Sequence, residues 1–230
     1  MNHKSIILHV TAGPIGNMGD ITLRALETIK TCDLIVAEDT RVTAKLLNHY
    51  KINKPMRSVR ERSSSDAVLA LVDEIVSGRL GSSIVYLSDA GTPGVSDPGG
   101  KLVAIARQRG VSVVPLPGPS ALSTILQIAG INLSDGVLFL GFLPKKKGRQ
   151  TLLKKLATNP LPVVIFESKY RVAKALKDFE SIWGEKCQVV VGRELTKKFE
   201  EIITGEILTV IKTMTQKPPK GELTLLIVPV

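Results

Sequence analysis

"LSDAGTPGVSDPG", residues 87–99, follows the apolar run "SSIVY" at 82–86 without a break. The run is short and apolar on both faces, as in a strand covered on both sides of a sheet. The loop after it is far longer than the roughly 4–6 residues of an ordinary connection. Gly91, Gly94, Gly99 and Gly100 permit positive φ or close backbone approach, while Pro93 and Pro98 remove freedom. Ser88, Asp89, Thr92, Ser96 and Asp97 add hydroxyls and carboxylates. Backbone restrained in this way is organised in advance for a small molecule. Asp89 and Asp97 would repel phosphate, so the ligand they suit carries a positive charge.

The pattern around this stretch repeats along the chain. Strands are predicted at 5–10, 33–37, 82–87, 111–115, 137–140, 162–166, 188–192 and 222–228. Helices are predicted at 20–31, 40–50, 65–78, 99–109, 119–129, 147–157, 171–182 and 206–216. Asp20, Thr40, Ser65 and Ser120 are the expected caps of four of them. Alternation of this kind specifies an α/β fold. "PLPGPSA" at 115–121 reads as a stiff turn and a boundary, dividing the chain into domains at 1–117 and 118–230. The first domain reads as mostly parallel βα units. The second reads as more mixed, with a hairpin expected around "EEIITGE" at 200–206.

Composition narrows the functional classes. The chain has 230 residues, 43% of them hydrophobic and 23% charged, which suits a globular protein with a sizeable core. No apolar run approaches the roughly 20 residues of a membrane helix, and "MNHKSIILHV" reads as a first strand, not a signal peptide. Two cysteines far apart, Cys32 and Cys187, fit reduced thiols in the cytoplasm and no metal site. Net charge is +10 and uneven: residues 1–140 hold 14 Lys and Arg against 12 Asp and Glu, and residues 141–230 hold 17 against 9. A basic second half, beginning with "PKKKGR" at 144–149, points to an anionic partner such as nucleic acid, or to a solvated lysine-rich face.

Two further loops resemble ligand loops. "TAGPIGNMGD" at 11–20 spaces its glycines G-x-x-G-x-x-G, not G-x-G-x-x-G, and Pro14 lacks a donor where a pyrophosphate would need one. That argues against a dinucleotide or ATP. "PGPSA" sets Ser120 and Ala121 at the start of a helix, with small side chains and free N–H groups.

Taken in order, "TAGPIGNMGDITLRALE", "DLIVAEDTR", "LSDAGTPGVSDPG", "VVPLPGPSA", "GFLPKKKGR", "ESKYR", "RELTKKFEE" and "KGELTLLIV" resemble the ribosomal RNA small subunit methyltransferase I family. That family belongs to the tetrapyrrole-methylase-like enzymes that use S-adenosylmethionine (SAM). The resemblance spans nearly the whole chain. It implies two α/β domains with a cofactor cleft between them, a cytoplasmic homodimer, and no membrane. It also implies 2′-O-methylation of a cytidine ribose in the decoding region of 16S rRNA, within the small ribosomal subunit. SAM carries a sulfonium cation and no phosphate, which agrees with an Asp-rich, Lys-poor loop. By position, Pro14, Ser88, Asp89, Ala90, Gly91, Thr92, Ser120 and Ala121 match the family's cofactor loops, with Phe166, Glu167 and Leu195 further candidates in the second domain.

Methyl transfer to a ribose hydroxyl gains from a base for its proton or a cation for the developing alkoxide. The candidates are Glu38, Asp39 and Arg41 in "AEDTR" and Glu61 in "RERSS"; a structural ion pair is the competing role for such residues. The family's H-E-H-N stretch reads Arg60, Glu61, Arg62, Ser63 here, and its E-S-P-H-R reads Glu167, Ser168, Lys169, Tyr170, Arg171. Three histidines are thus replaced, and His3, His9 and His49 fall elsewhere, which disfavours a histidine base. RNA phosphates are expected at Lys145, Lys146, Lys147, Arg149, Arg171, Lys197 and Lys198. With 4% aromatic residues, extensive base stacking is not expected. Tyr170 and Phe142 could each stack one base, with core packing the stronger reading for Phe142. The alternative substrate is a small anionic molecule such as a tetrapyrrole.

Overall fold

The computed structural model describes residues 5–229, so His3 lies outside the described residues. The chain divides into two compact units, Met1–Ser120 and Ala121–Val230.

In the first unit five strands, β1 (Ile7–Thr11), β2 (Leu34–Ala37), β3 (Met56–Ser58), β4 (Ser83–Leu87) and β5 (Ser112–Leu116), form one sheet in the order β3-β2-β4-β1-β5. All pairings are parallel. Its helices are α1 (Leu23–Thr31), α2 (Thr40–His49), α3 (Ser65–Val76) and α4 (Gly99–Gln108). Side chains alternate across a strand, so Val85 and Leu87 meet Ala25, Ile29 and Leu46 on the α1/α2 face. Ile84 and Tyr86 meet Val68, Val72 and Leu102 on the α3/α4 face. Both faces of β4 are buried, as the unbroken run at 82–87 requires.

The second unit holds β6 (Leu138–Phe142), β7 (Val163–Ser168), β8 (Gln188–Arg193), β9 (Glu201–Glu206) and β10 (Glu222–Val228) in the order β6-β7-β10-β8-β9. Only β6 and β7 pair in parallel; the other pairings are antiparallel. The sheet is therefore mixed, and β8–β9 is the hairpin expected around residues 200–206. α5 (Ala121–Gln127) covers one face through Ile125 against Val164, Val190 and Leu226. α6 (Arg149–Leu156), α7 (Val172–Trp183) and α8 (Ile207–Gln216) cover the other, where Leu176, Phe179 and Val210 meet Ile165, Val191 and Leu225.

The structure differs from the sequence reading at several points. β3 has no strand signal in the sequence, because its three residues sit half-buried or exposed at the sheet edge. A 3-10 turn at Met18–Asp20 delays α1, whose cap is Thr22 and not Asp20. Asp39 and Ser64, each one residue before the expected Thr40 and Ser65, accept from the first-turn N–H groups of α2 and α3. Both cysteines are buried and reduced, and desolvation pushes each thiol up to about 11. Among the described residues no helix is long and apolar enough to cross a membrane.

Candidate active site

A parallel sheet delivers the carboxyl ends of all its strands to one rim. β4 is followed by a helix on one face, while its neighbours β1 and β2 are followed by helices on the other. The rim opens where such connections part, which is where ligands of α/β sheets bind. Loop 88–98 leaves the sheet at that point, flanked by the loops after β1, β2 and β5.

Gly91 ties these loops together. Its carbonyl accepts from Gly13 N at 3.0 Å and its N–H donates to Pro14 O at 3.3 Å. Its φ of +71° belongs to glycine, and a Cβ there would stand 3.0 Å from Ile15 Cγ2 and 3.5 Å from Pro119 O. The Ser88 hydroxyl is buried and donates to Ala90 O and Gly91 O, and Thr92 Oγ1 donates to Pro119 O at 3.0 Å. Pro14, Ser88, Asp89, Ala90, Gly91, Thr92 and Ser120 are thereby brought onto one rim. Two of the hydroxyls serve to hold the loops.

The carboxylates of the rim are not equivalent. Asp89 N donates to Glu38 Oε2 at 3.1 Å, and Asp39 N donates to Asp89 Oδ1 at 2.9 Å, so the β2 and β4 loops are laced reciprocally. Burial raises the Glu38 pKa, opposed by the Asp89 N–H and reinforced by the charges of Asp89, Asp97 and Glu61. Burial also raises Asp89, opposed by its bond from Asp39 N. Asp39 goes the other way: hydrogen bonds from the Arg41 side chain and backbone hold it down at about 2. Its carboxylate is both the cap of α2 and the partner of Arg41, at 2.7 Å. Asp39 is too acidic to act as a base, and Arg41 is already paired. Glu61 lies on the exposed turn after β3.

Asp97 does not face a ligand, as the loop's composition suggested. Its carboxylate accepts from Tyr86 Oη at 3.2 Å, Gly94 N at 2.6 Å and Gly99 N at 2.8 Å, fastening the loop to α4. The sequence reading missed Tyr86, which is fully buried, and only its place two residues before the loop proper hinted at a link. The set that remains for a cofactor is acidic, glycine-lined and without a lysine, which fits a sulfonium cation better than a phosphate. Among the described residues no group of His, Cys, Asp or Glu has metal-ligand geometry. His9 sits inside β1 with burial lowering its pKa, and His49 lies exposed at the end of α2.

In the second unit Ala121 opens α5 and is half-buried. Phe166 packs edge-on to Phe139 and Phe142, and Leu195 is buried against Gly192. Glu167 does not offer its carboxylate to a ligand: its side chain is 0% exposed, its Oε2 lies 3.1 Å from Arg171 Nη2, and its Oε1 accepts from Ser168 N.

The expected phosphate contacts divide in the same way. Lys145, Lys146, Lys147 and Lys198 are exposed. Arg149 is not: its guanidinium, 6% exposed, pairs with Asp178 at 2.6 Å and donates to Pro144 O. It builds the lysine segment and does not reach out from it. Arg171 is held by Glu167 and Leu143 O, and Lys197 by Glu194 and Glu222. Phe142, expected in the core, is 56% exposed.

Comparison with known proteins places this architecture. Residues 8–210 match the model of the tetrapyrrole (corrin/porphyrin) methylases. The chain is 40% identical to ribosomal RNA small subunit methyltransferase I of Thermotoga maritima, over 96% of this chain and 97% of that protein. It is equally identical to the protein of that name from Synechocystis sp., over 96% of this chain and 78% of the relative. Among solved structures, cobalt precorrin-4 methyltransferase CbiF superposes with a TM-score of 0.70 at 18% identity, covering 96% of this chain and 94% of its own. The methyltransferase CobJ gives 0.71 at 15% identity, covering 98% and 95%. Those structures share the fold; the relatives share the sequence. The chain belongs to the ribosomal RNA small subunit methyltransferase I family of the tetrapyrrole methylases.

Proposed function

We propose that this chain transfers a methyl group from SAM to the ribose 2′-oxygen of a cytidine in the decoding region of 16S rRNA, in the small ribosomal subunit. The observation that carries this reading is 40% identity over 96% of the chain to a protein named for rRNA methylation. Family membership also supports a cytoplasmic homodimer. Bound at the rim, SAM would supply a methyl carbon on a cationic sulfur. Asp89 and Glu38 would place negative charge there, with Pro14, Ala90, Gly91 and Ser120 supplying the close backbone and Ser88 and Thr92 holding its shape. In the second unit Ala121, Phe166 and Leu195 are the proposed further contacts. Lys145, Lys146, Lys147 and Lys198 would meet phosphates.

Glu38 is the proposed base. It takes the 2′-hydroxyl proton as the oxygen–carbon bond forms and the carbon–sulfur bond breaks, with the bonding pair leaving on sulfur. Its raised pKa brings it nearer neutrality, where general bases work best. Two effects of Glu38→Gln follow, with opposite signs. Methyl transfer should fall by about 100-fold or more. Stability at neutral pH should rise: a half-buried carboxyl with a raised pKa favours the folded state on the acid side and loses that contribution as pH climbs through the raised value. Asp39, held low, contributes in the reverse sense, and its share disappears only as pH falls towards about 2. Parallel pH–rate profiles and urea unfolding of Glu38→Gln check this; unaltered turnover would remove Glu38 from the chemistry.

The reading as a whole is tested by offering labelled SAM with small ribosomal subunits, naked 16S rRNA and a porphyrinogen in separate reactions. Label in a cytidine 2′-O-methyl of subunit RNA is the expected result. Label in the porphyrinogen alone would replace RNA with a small anionic substrate.

A further inference from the structure

Among the described residues, every Phe, Tyr or Trp side chain that is strongly exposed lies in the second unit: Phe142 at 56%, Tyr170 at 85% and Phe199 at 65%. Topology brings all three to one end of its sheet. β7 and β8 both run antiparallel to β10, so they run the same way as each other, and β6 runs with β7. Phe142 ends β6, Tyr170 follows β7, and Phe199 lies in the loop after β8. The ends of β7 and β8 stand two strand spacings apart, roughly 10 Å.

The tips that carry Tyr170 and Phe199 are built alike. Each is a lysine followed by an aromatic residue, with the ammonium over its neighbour's ring: Lys169 Nζ lies 4.8 Å from the Tyr170 centroid and Lys198 Nζ 5.6 Å from that of Phe199. Each tip is braced from behind. Arg171, pinned to Glu167 and Leu143 O, closes the turn 168–171 through its N–H to Ser168 O. Lys197 bridges Glu194 and Glu222, and Glu200 accepts from Thr196 N at 2.5 Å. Glu194 and Thr196 hold φ of 50° and 65°, strained values that these bonds maintain. A rigid mount for an exposed phenyl ring has no use in the core of this unit.

The charge at this end leans to the cationic side. Glu167, Glu194, Glu201 and Glu222 each have a cationic partner and the Glu200 carboxylate is taken up by Thr196 N, whereas Lys169 and Lys198 make no ion pair among the described residues. Aromatic faces interleaved with unpaired lysines complement single-stranded nucleic acid, whose bases stack while its phosphates meet the cations.

We infer that Tyr170 and Phe199 are stacking platforms for unpaired bases of a single-stranded RNA segment, with Lys169 and Lys198 contacting its backbone. This rests on the RNA reading above and adds how the RNA is held. The test uses the full chain and a fluorescein-labelled oligouridylate about 12 nucleotides long, beside an RNA duplex of equal length. Tyr170→Ala and Phe199→Ala should each weaken single-strand binding by about 5- to 150-fold with duplex binding little changed. Tyr170→Phe should bind as the unaltered protein does, since a phenyl face stacks like a phenol. Lys169→Ala should flatten the salt dependence by about 0.7 in log–log slope. The inference fails on any of three results: the unaltered chain does not bind the oligouridylate, the alanine variants bind it normally, or they instead alter the oligomeric state, which would make this end a contact between copies. Methyl transfer to small subunits is measured alongside. Unlabelled RNA from the unaltered protein would sink the functional reading, and the oligonucleotide result would still decide the inference.

Discussion

Arg171→Met should lower the stability of the 121–230 unit by about 3–5 kcal/mol. The Glu167 carboxylate has no exposed side-chain surface, and Arg171 is its ion-pair partner. Removing that partner leaves a charge in the apolar interior, which costs far more than the pair itself contributes. The same change strips a donor from Leu143 O, the residue from which the chain enters the lysine segment. Adding Glu167→Leu to Arg171→Met should recover most of the loss, because the stranded charge is then gone. Urea unfolding of the single and double variants gives the comparison. A single-variant loss of about 1 kcal/mol or less, as for an exposed pair, would show that Glu167 is not buried as a charge.

Neighbouring glycines should respond in opposite directions. A Cβ on Gly99 would lie 2.5 Å from Tyr86 Cε1 and 2.7 Å from Asp97 Oδ1. The Tyr86 ring is fully buried and cannot retreat without disturbing the α3/α4 face of the core. Gly99→Ala should therefore cost the first unit about 3 kcal/mol. It should also weaken SAM binding, because the same carboxylate anchors loop 88–98 to α4. Gly100, next in the helix, faces open space, and Gly100→Ala should raise stability by up to about 1 kcal/mol with SAM affinity unchanged. Chemical unfolding and titration calorimetry on both variants check the pair. Equal responses would show that contact with Tyr86 is not what excludes a side chain at 99.

Elements whose two faces are both buried were the most legible. β4 and β7 declare themselves by unbroken Val/Ile runs, and the loop after β4 declares itself by a density of Gly, Pro and Asp that no plain turn needs. β3 was invisible for the converse reason: an exposed edge strand of three residues selects no apolar pattern. The caps were misread by one or two positions, since neighbouring hydroxyls and carboxylates compete and the preceding backbone turn decides between them. Arg149 and Lys147 are two residues apart in one basic run, yet only Arg149 is buried. Its partner, Asp178, lies on another helix, and nothing local marks the difference. Asp97 and Asp89 looked alike for the same reason. One is consumed by Tyr86 and two backbone N–H groups, the other stays at the rim, and only three-dimensional neighbours separate them.

β10, the last strand in chain order, occupies the middle of its sheet, between β7 and β8. A chain emerging residue by residue from the ribosome therefore makes β6–β7 and β8–β9 as two half-sheets, each with a raw margin of unpaired amides. Neither margin is covered until residues 222–228 arrive. In the first unit the corresponding joining strand, β4, arrives earlier, and that sheet is complete once β5 is out. The interval between these two events is when nascent protein of this kind is most open to aggregation and to chaperone capture.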